Sequence, residues 1–321
     1  MIHSAARADP AAAPPVVAIV GATGTGKSDL AIELAQKLSE SDVRAEIVNA
    51  DAMQLYRGMD IGTAKVPESE RRGVPHHLFD VWEVTREASV ADYQAMARAK
   101  IQDIQSRGAL PLLVGGSGLY VSSVLYEFEF PGTDPEIRAH LEARLETEGL
   151  APLLQELADK DPLAAAAIDP QNTRRVIRAL EVIEITGQPF GAGLDAEHRP
   201  WQESTVVVGL HRERADLVET LNQRVEAMWD KGLVDEVRDL IPLGIERGVT
   251  ASRAIGYQQA LEFLAGTVSR EDAIESTQSL TRRYARRQVS WFRRDDNTRW
   301  LTSEEPGTSD RALGVVLEAW T

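Results

Sequence analysis

Gly21-Ala-Thr-Gly-Thr-Gly-Lys27-Ser28 satisfies the pattern G-x-x-x-x-G-K-[ST] at every fixed position. The apolar run Val16-Val-Ala-Ile-Val20 precedes it, and Leu30, Leu34 and Leu38 follow at helical spacing. Strand, glycine-rich loop and helix, in that order, form the context in which this pattern cradles phosphate. The loop's N–H groups, from Gly21, Ala22, Thr23, Gly24, Thr25 and Gly26, favour an anion together with the helix N-terminus. Lys27 adds a point charge, and the Ser28 hydroxyl suits Mg²⁺. The segment therefore predicts a phosphorylated ligand. It does not say which, because kinases, ATPases and other phosphate-handling proteins share the loop.

Outward from this loop, short apolar runs alternate with helical patterns over the first 130 residues. That is the signature of an α/β fold, a P-loop NTPase-like parallel sheet with helices on both faces. Strands are expected at 16–20, 46–49 and 110–114, and helices at 28–39, 90–107 and 119–126. A second glycine turn, Gly115-Gly-Ser-Gly118, opens the last of these helices. In such sheets ligands bind outside the carboxyl ends of the strands. From 131 to 203 the strand pattern disappears. Thr133-Asp-Pro-Glu136 reads as a capping box, Ile137, Leu141 and Leu145 follow at four-residue spacing, and Gly149 supplies a stop. Residues 169–187 repeat the logic with Val176, Leu180 and Ile183. The expected organisation is a disordered tail (1–15), a core (16–130 and 204–321) and an inserted all-helical domain (131–203). A strand at 205–210 should rejoin the parent sheet, and the remainder is mostly helical until Trp300.

The composition is that of a globular chain: 321 residues, 43% hydrophobic and 26% charged. No apolar run approaches the roughly 20 residues that span a bilayer, so no membrane association is expected. With no cysteine, disulfides and Cys-based zinc sites are excluded, and a reducing, cytoplasmic setting suits the chain. A net charge of −15 argues against generic nucleic-acid binding unless Lys and Arg are clustered locally.

They are clustered. Thr281-Arg-Arg-Tyr-Ala-Arg-Arg-Gln-Val-Ser-Trp-Phe-Arg-Arg294 carries six arginines. On a helix Arg282, Arg286 and Arg293 fall within about 40° of one another, and Arg283, Arg287 and Arg294 form a second stripe about 100° away. Leu280, Tyr284 and Trp291 lie opposite the first stripe and are expected to face the core. Two outward arginine stripes make a surface for a phosphate backbone. Arg174, Arg175 and Arg178 form a weaker patch, diluted by Glu181 and Glu184. Asp51, at the end of the second strand, can ligate Mg²⁺, act as a general base or simply cap a helix. Ser117 can face an anion or merely cap its helix. The adjacent His76 and His77 show no metal-ligand spacing, and Arg253 is unremarkable by itself.

Together these segments resemble the tRNA dimethylallyltransferases, or tRNA isopentenyltransferases. The matching pieces are Gly21–Ser28, Asp51-Ala-Met-Gln-Leu-Tyr-Arg-Gly-Met-Asp-Ile-Gly-Thr-Ala-Lys65, Pro75-His-His-Leu78, Gly115-Gly-Ser-Gly-Leu-Tyr120, Arg178-Ala-Leu-Glu181, Arg253-Ala-Ile-Gly-Tyr257 and Thr281–Arg293. They span nearly the whole chain after the tail. Ala52 stands where the family often has Ser, and Ser117 where Thr is usual; Ser117 keeps the hydroxyl. The Cys/His zinc finger of some members is missing.

The resemblance implies transfer of a dimethylallyl group from dimethylallyl pyrophosphate to N6 of adenosine 37, in tRNAs that read codons starting with U. The P-loop would hold the pyrophosphate with Mg²⁺ on Ser28, although such a loop also invites the label of an ATP site. Asp51, Lys27, Ser117 and Arg253 would carry the chemistry. Contacts to the tRNA anticodon stem-loop would come from Asp51, Ala52, Met53, Gln54, Ser117, Arg138, Gln171, Arg174, Arg175, Arg253, Tyr257, Arg282, Arg286 and Arg293. The resemblance also favours a monomer. The competing readings are an adenylate isopentenyltransferase, which would need neither insertion nor arginine helix, a P-loop kinase of a small metabolite, and a non-catalytic RNA-binding module.

Overall fold

A computed structural model describes residues 14–128, 130–190 and 199–320. Most of the expected N-terminal tail lies outside the described residues, but Pro14 and Pro15 are buried and the Pro14 carbonyl accepts a bond from Gln105. The chain divides into two compact units, one formed by 1–125 and 202–321, the other by 126–201.

In the larger unit the elements run β1 (Val16–Gly21), α1 (Lys27–Ser39), β2 (Ala45–Asn49), β3 (His76–His77), α2 (Val90–Ser106), β4 (Leu110–Val114) and α3 (Gly118–Leu125). After the second unit come β5 (Thr205–His211), α8 (Arg214–Asp230), α9 (Leu233–Leu240), α10 (Tyr257–Leu264), α11 (Arg270–Phe292), β6 (Arg299–Thr302) and α12 (Thr308–Trp320). The strands form one sheet, ordered β3-β2-β4-β1-β5-β6, with every neighbouring pair parallel. Near-continuous apolar strands such as Val16–Val20 are what a sheet covered on both faces requires. Val17, Ile19, Leu110, Leu112, Val206 and Val208 pack against Leu30, Leu34 and Leu38 of α1 and Val316 of α12. Residues in between point the other way, where α2, α3 and α11 are found.

Two strands escaped the sequence reading, β3 and β6. Both are edge strands of no more than four residues, too short to carry a period of their own, so their pairing is specified by β2 and β5. The parallel register sets Ile19 and Asn49 each beside Val114, and Gly21 beside Leu210. The chain therefore leaves β1, β2 and β4 at one edge, which brings the P-loop, Asp51 and the second glycine turn to the same place.

The smaller unit contains α4 (Pro135–Glu148), α5 (Leu150–Lys160), α6 (Pro162–Ala167) and α7 (Thr173–Thr186) around Leu141, Leu153, Leu157, Val176 and Leu180. Its first helix is capped by Asp134, which accepts from the Glu136 and Ile137 N–H groups, and not by Thr133 as the capping-box reading expects. Asn172 caps α7, so that helix starts four residues later than the sequence pattern proposes. Glu181 is fully buried and accepts from Arg138 at 2.9 Å, Arg178 at 2.9 Å and the Asp134 N–H at 3.1 Å. Burial works to raise its carboxyl pKa, but the two guanidiniums outweigh it and hold the group below the usual range. Removing a carboxylate so enclosed strands two cations, so Glu181→Ala should lower unfolding free energy by about 3 kcal/mol in urea titration. An unchanged midpoint would contradict this account of the helical unit.

Candidate active site

Glycine geometry builds the first wall. Gly21 leaves β1 with φ 142°, and a Cβ there would lie 2.5 Å from the Leu210 carbonyl, so only glycine lets the loop depart beside β5. Inside the loop the Thr25 hydroxyl donates to the Ala22 carbonyl at 2.9 Å, and Lys27 Nζ donates to the same oxygen at 2.7 Å. Burial pulls the Lys27 pKa down to about 8; Asp51 opposes that shift and Arg224 adds to it.

The second wall follows β2. The Asn49 side chain accepts the Asp51 N–H at 2.9 Å and donates to the Asp51 and Leu78 carbonyls at 3.1 Å. Asp51 Oδ1 in turn accepts the Met53 N–H at 2.9 Å. These bonds fix the carboxylate at the strand end. Burial raises its pKa, with the Met53 N–H, Lys27 and Arg224 restraining the rise. A carboxylate that resists ionisation, held among cations, is a candidate for proton transfer.

The third wall is the turn after β4. A Cβ on Gly115 would lie 2.3 Å from the Ala50 carbonyl, and one on Gly118 would lie 2.4 Å from the Trp291 ring. Between them Ser117 accepts the Ala52 N–H at 3.2 Å and meets the Tyr284 hydroxyl at 3.3 Å. Its side chain thus faces the Asp51 loop and α11 instead of acting as a plain helix cap. Burial, with Asp51 adding to it, pushes the Tyr284 phenol up to about 12.

Two cavities open between these walls. The larger, about 800 Å³, is lined by the P-loop from Thr23 to Ser28, together with Gly115, Gly116, Gln54 and Lys65. The smaller, about 290 Å³, has a largely apolar lining that includes Val225, Met228, Trp229 and Tyr284, and it contains Ser117 and Arg253. Thr23, Asp51, Thr63, Arg224 and Met228 belong to both. Asp51 therefore stands where a space lined by the P-loop meets a largely apolar one.

Arg224 was not singled out in the sequence. It lies on α8, where its surroundings read as an ordinary amphipathic helix, and only the fold brings it to Thr23, whose hydroxyl accepts from Nη1 at 3.2 Å. Burial lowers its pKa, opposed by Asp51 and Asp29.

The remaining expected site residues divide. Met53 lines the smaller cavity, and Ala52 is buried at its edge. Gln54 lines the larger one, donating to the Thr63 carbonyl at 3.0 Å. Tyr257 is fully buried and donates to Glu236, which places it in the wall of the smaller cavity. Arg282 donates to the Asn222 side chain at 2.6 Å, while Arg286 and Arg293 are exposed. The buried face of α11 is Thr277, Ala285, Gln288 and Phe292, rotated from the expected Leu280, Tyr284 and Trp291; Trp291 is 36% exposed. In the helical unit Gln171, Arg174 and Arg175 are exposed. Arg138 and Arg178 are committed to Glu181, and Arg178 also donates to the Pro131 and Gly132 carbonyls, so the expected second arginine patch is thinner than its sequence suggests.

Among the described residues no cluster of three or more His, Cys, Asp or Glu is arranged to hold a metal. The Ser28 hydroxyl, with the Asp51 carboxylate lining the same cavity, still fits Mg²⁺, which keeps several waters and takes its other oxygens from a phosphorylated ligand. Among the described residues no helix is long and apolar enough to cross a membrane.

A family model described as IPP transferase matches residues 54–295. The chain is 59% identical over 306 residues to the tRNA dimethylallyltransferase of Clavibacter sepedonicus, covering 95% of this chain and 97% of that one. It is 56% identical over 303 residues to the enzyme of the same name from Thermobifida fusca, covering 94% of each. Among solved structures it is similar to the tRNA isopentenylpyrophosphate transferase of Bacillus halodurans, with TM-score 0.67, 39% identity and coverage of 95% and 97%. A eukaryotic dimethylallyltransferase solved while acting on tRNA gives TM-score 0.78 at 27% identity, covering 94% of this chain and 78% of that one.

With a pKa of about 8, Lys27 is charged below that pH and progressively neutral above it. Affinity for inorganic pyrophosphate, divided by that of Lys27→Gln at the same pH, should therefore fall between pH 7 and pH 9. Calorimetric titration checks this, and a ratio that stays flat would show that Lys27 does not meet the anion.

Proposed function

The chain belongs to the IPP transferase family, that of the tRNA dimethylallyltransferases, and from this premise we propose how its site prenylates tRNA. The donor is dimethylallyl pyrophosphate and the acceptor is N6 of adenosine 37, beside the anticodon of tRNAs that read codons starting with U. The observation that carries this reading is Asp51 at the junction of a P-loop-lined and a largely apolar cavity, with Lys27 and Arg224 exerting their charge on it.

The donor's pyrophosphate lies in the larger cavity on the P-loop, from Gly21 to Ser28. Its allylic C1 points toward the smaller, where water is excluded by apolar side chains. The N6 lone pair attacks C1, the C1–O bond breaks, and its electron pair leaves with the pyrophosphate. Lys27 and Arg224 neutralise the charge that develops there, in a setting where fixed charges act strongly. Mg²⁺, held by Ser28 and ligand oxygens, would add further charge neutralisation when bound. Asp51 accepts the N6 proton as the new C–N bond forms, and its raised pKa suits that task. Ser117 and Arg253, in the same cavity, orient the reacting groups.

The adenine reaches this cavity by leaving the anticodon-loop stack, at a cost of a few kcal/mol. Arg282, Arg286 and Arg293 on α11, with Arg174 and Arg175 in the helical unit, grip the flanking backbone, and the chain works as a monomer in the cytoplasm. Each phosphate contact should steepen the slope of log affinity against log salt by roughly 0.7 to 0.9.

Mass spectrometry of nucleosides from unmodified tRNA, incubated with the protein, Mg²⁺ and dimethylallyl pyrophosphate, tests the reading. Dimethylallyladenosine should form, and Asp51→Asn should slow its formation by about 10² to 10⁴. Prenylation of added AMP in place of tRNA would move the acceptor to a free nucleotide, and no prenylation of either would defeat the reading. Arg224→Gln should raise KM for the donor and lower kcat, since the leaving-group charge it neutralises grows as the C1–O bond breaks. Steady-state kinetics unaltered by that change would exclude Arg224 from the leaving-group site.

A further inference from the structure

Gln288 is 3% exposed, and its amide spans the two glycine turns. Oε1 accepts the Thr23 N–H at 2.9 Å, and Nε2 donates to the Gly116 carbonyl at 2.8 Å. The fit is close: a Cβ on Gly116 would stand 2.4 Å from Nε2 and 3.0 Å from the Gly21 carbonyl. One helical turn earlier, Tyr284 meets Ser117; one turn later, Trp291 covers Gly118 and donates Nε1 to the Ser122 hydroxyl at 3.0 Å. Positions 284, 288 and 291 share one stripe of α11, and they engage Ser117, Gly116 and Gly118 respectively.

An amide is the side chain that offers one acceptor and one donor at fixed separation. A carboxylate accepts only, and a thioether of similar length does neither to any useful degree. Thr23 is held a second time by Arg224, which donates to its hydroxyl. The segment of the P-loop next to Asp51 is therefore set by α8 and α11, not by the loop alone.

We propose that Gln288 is a positioning residue that fixes the spacing between the P-loop and the Ser117 turn, so that both meet one pyrophosphate. Through it the helix that presents the arginine stripes also sets the donor site. The proposal rests on the reading that the P-loop holds the donor's pyrophosphate.

Calorimetric titration of inorganic pyrophosphate with Mg²⁺ into wild type, Gln288→Met, Gln288→Glu and Lys27→Ala tests it, alongside tRNA affinity measured without donor. Gln288→Met leaves a buried N–H and a buried carbonyl without their partners, and pyrophosphate affinity should fall about 10-fold. KM for dimethylallyl pyrophosphate should rise with it while tRNA affinity stays within about twofold of wild type. Gln288→Glu should bind pyrophosphate weakly at pH 8 and recover relative to wild type as the pH is lowered, because a protonated carboxyl regains a donor. If the methionine variant does not fold, this pH-dependent recovery decides. Pyrophosphate affinity within twofold of wild type in Gln288→Met, with Lys27→Ala weakened, would overturn the proposal and leave the P-loop reading intact. An equal loss of tRNA affinity would also overturn it, since that marks general damage. Lys27→Ala binding as tightly as wild type would instead remove the P-loop reading, and the proposal with it.

Discussion

One carboxylate and two cations, each partly withdrawn from solvent, share a cleft, and the rest of the larger unit serves to keep them there. Asp51 resists ionisation, and Lys27 and Arg224 give up protons more readily than they would in water. In each case burial is the leading cause, and the mutual attraction of opposite charges only moderates it. Such a cluster is costly to assemble in the absence of ligand. It becomes favourable when an anion arrives, because the two cations then have a partner suited to them. A charged leaving group meets this arrangement best at the moment its charge is greatest, which is the condition for lowering a barrier rather than merely tightening binding.

The parallel sheet makes the assembly possible. Because β1, β2 and β4 run in register and end at one edge, three separate chain segments turn out of the sheet within reach of one another. Glycine is required where the backbones approach, at Gly21 against Leu210 and at Gly115 against Ala50, and at Gly116 it makes room for the Gln288 side chain. The helices α8 and α11 then close the space from outside the sheet, bringing Arg224 and Gln288 from segments far away in sequence.

Much of this was legible in the residues. The P-loop, the strands at its sides and the meeting of Asp51 with Ser117 follow from apolar runs and glycine turns, and the observed boundaries of β1, β4 and β5 differ by at most one residue. Arg253 gave no local signal, and only the resemblance to a family brought it to notice. Arg224 and Gln288 were invisible for a different reason. Arg224 sits in a helix of ordinary pattern and Gln288 among arginines that mark its helix for charge alone, and the role of each arises from a partner more than a hundred residues away. The face of α11 was misjudged because large apolar residues were expected to seek the core. Thr277, Ala285, Gln288 and Phe292 are buried instead, and the two glycine turns offer backbone groups that the Gln288 amide satisfies. In the helical unit Arg178 reads as part of an outward arginine patch and Arg138 enters only through the resemblance, yet the buried Glu181 claims both.

The central claim is that the P-loop and the Asp51 carboxylate converge on one prenyl pyrophosphate. A crystal structure of the protein with Mg²⁺ and a non-hydrolysable thio analogue of dimethylallyl pyrophosphate tests it most directly. The account predicts the pyrophosphate on residues 21–28, with Lys27 turned from the Ala22 carbonyl to a phosphate oxygen and the allylic carbon directed toward Asp51. A pyrophosphate bound away from that loop, or an alkyl chain directed away from Asp51, would contradict it.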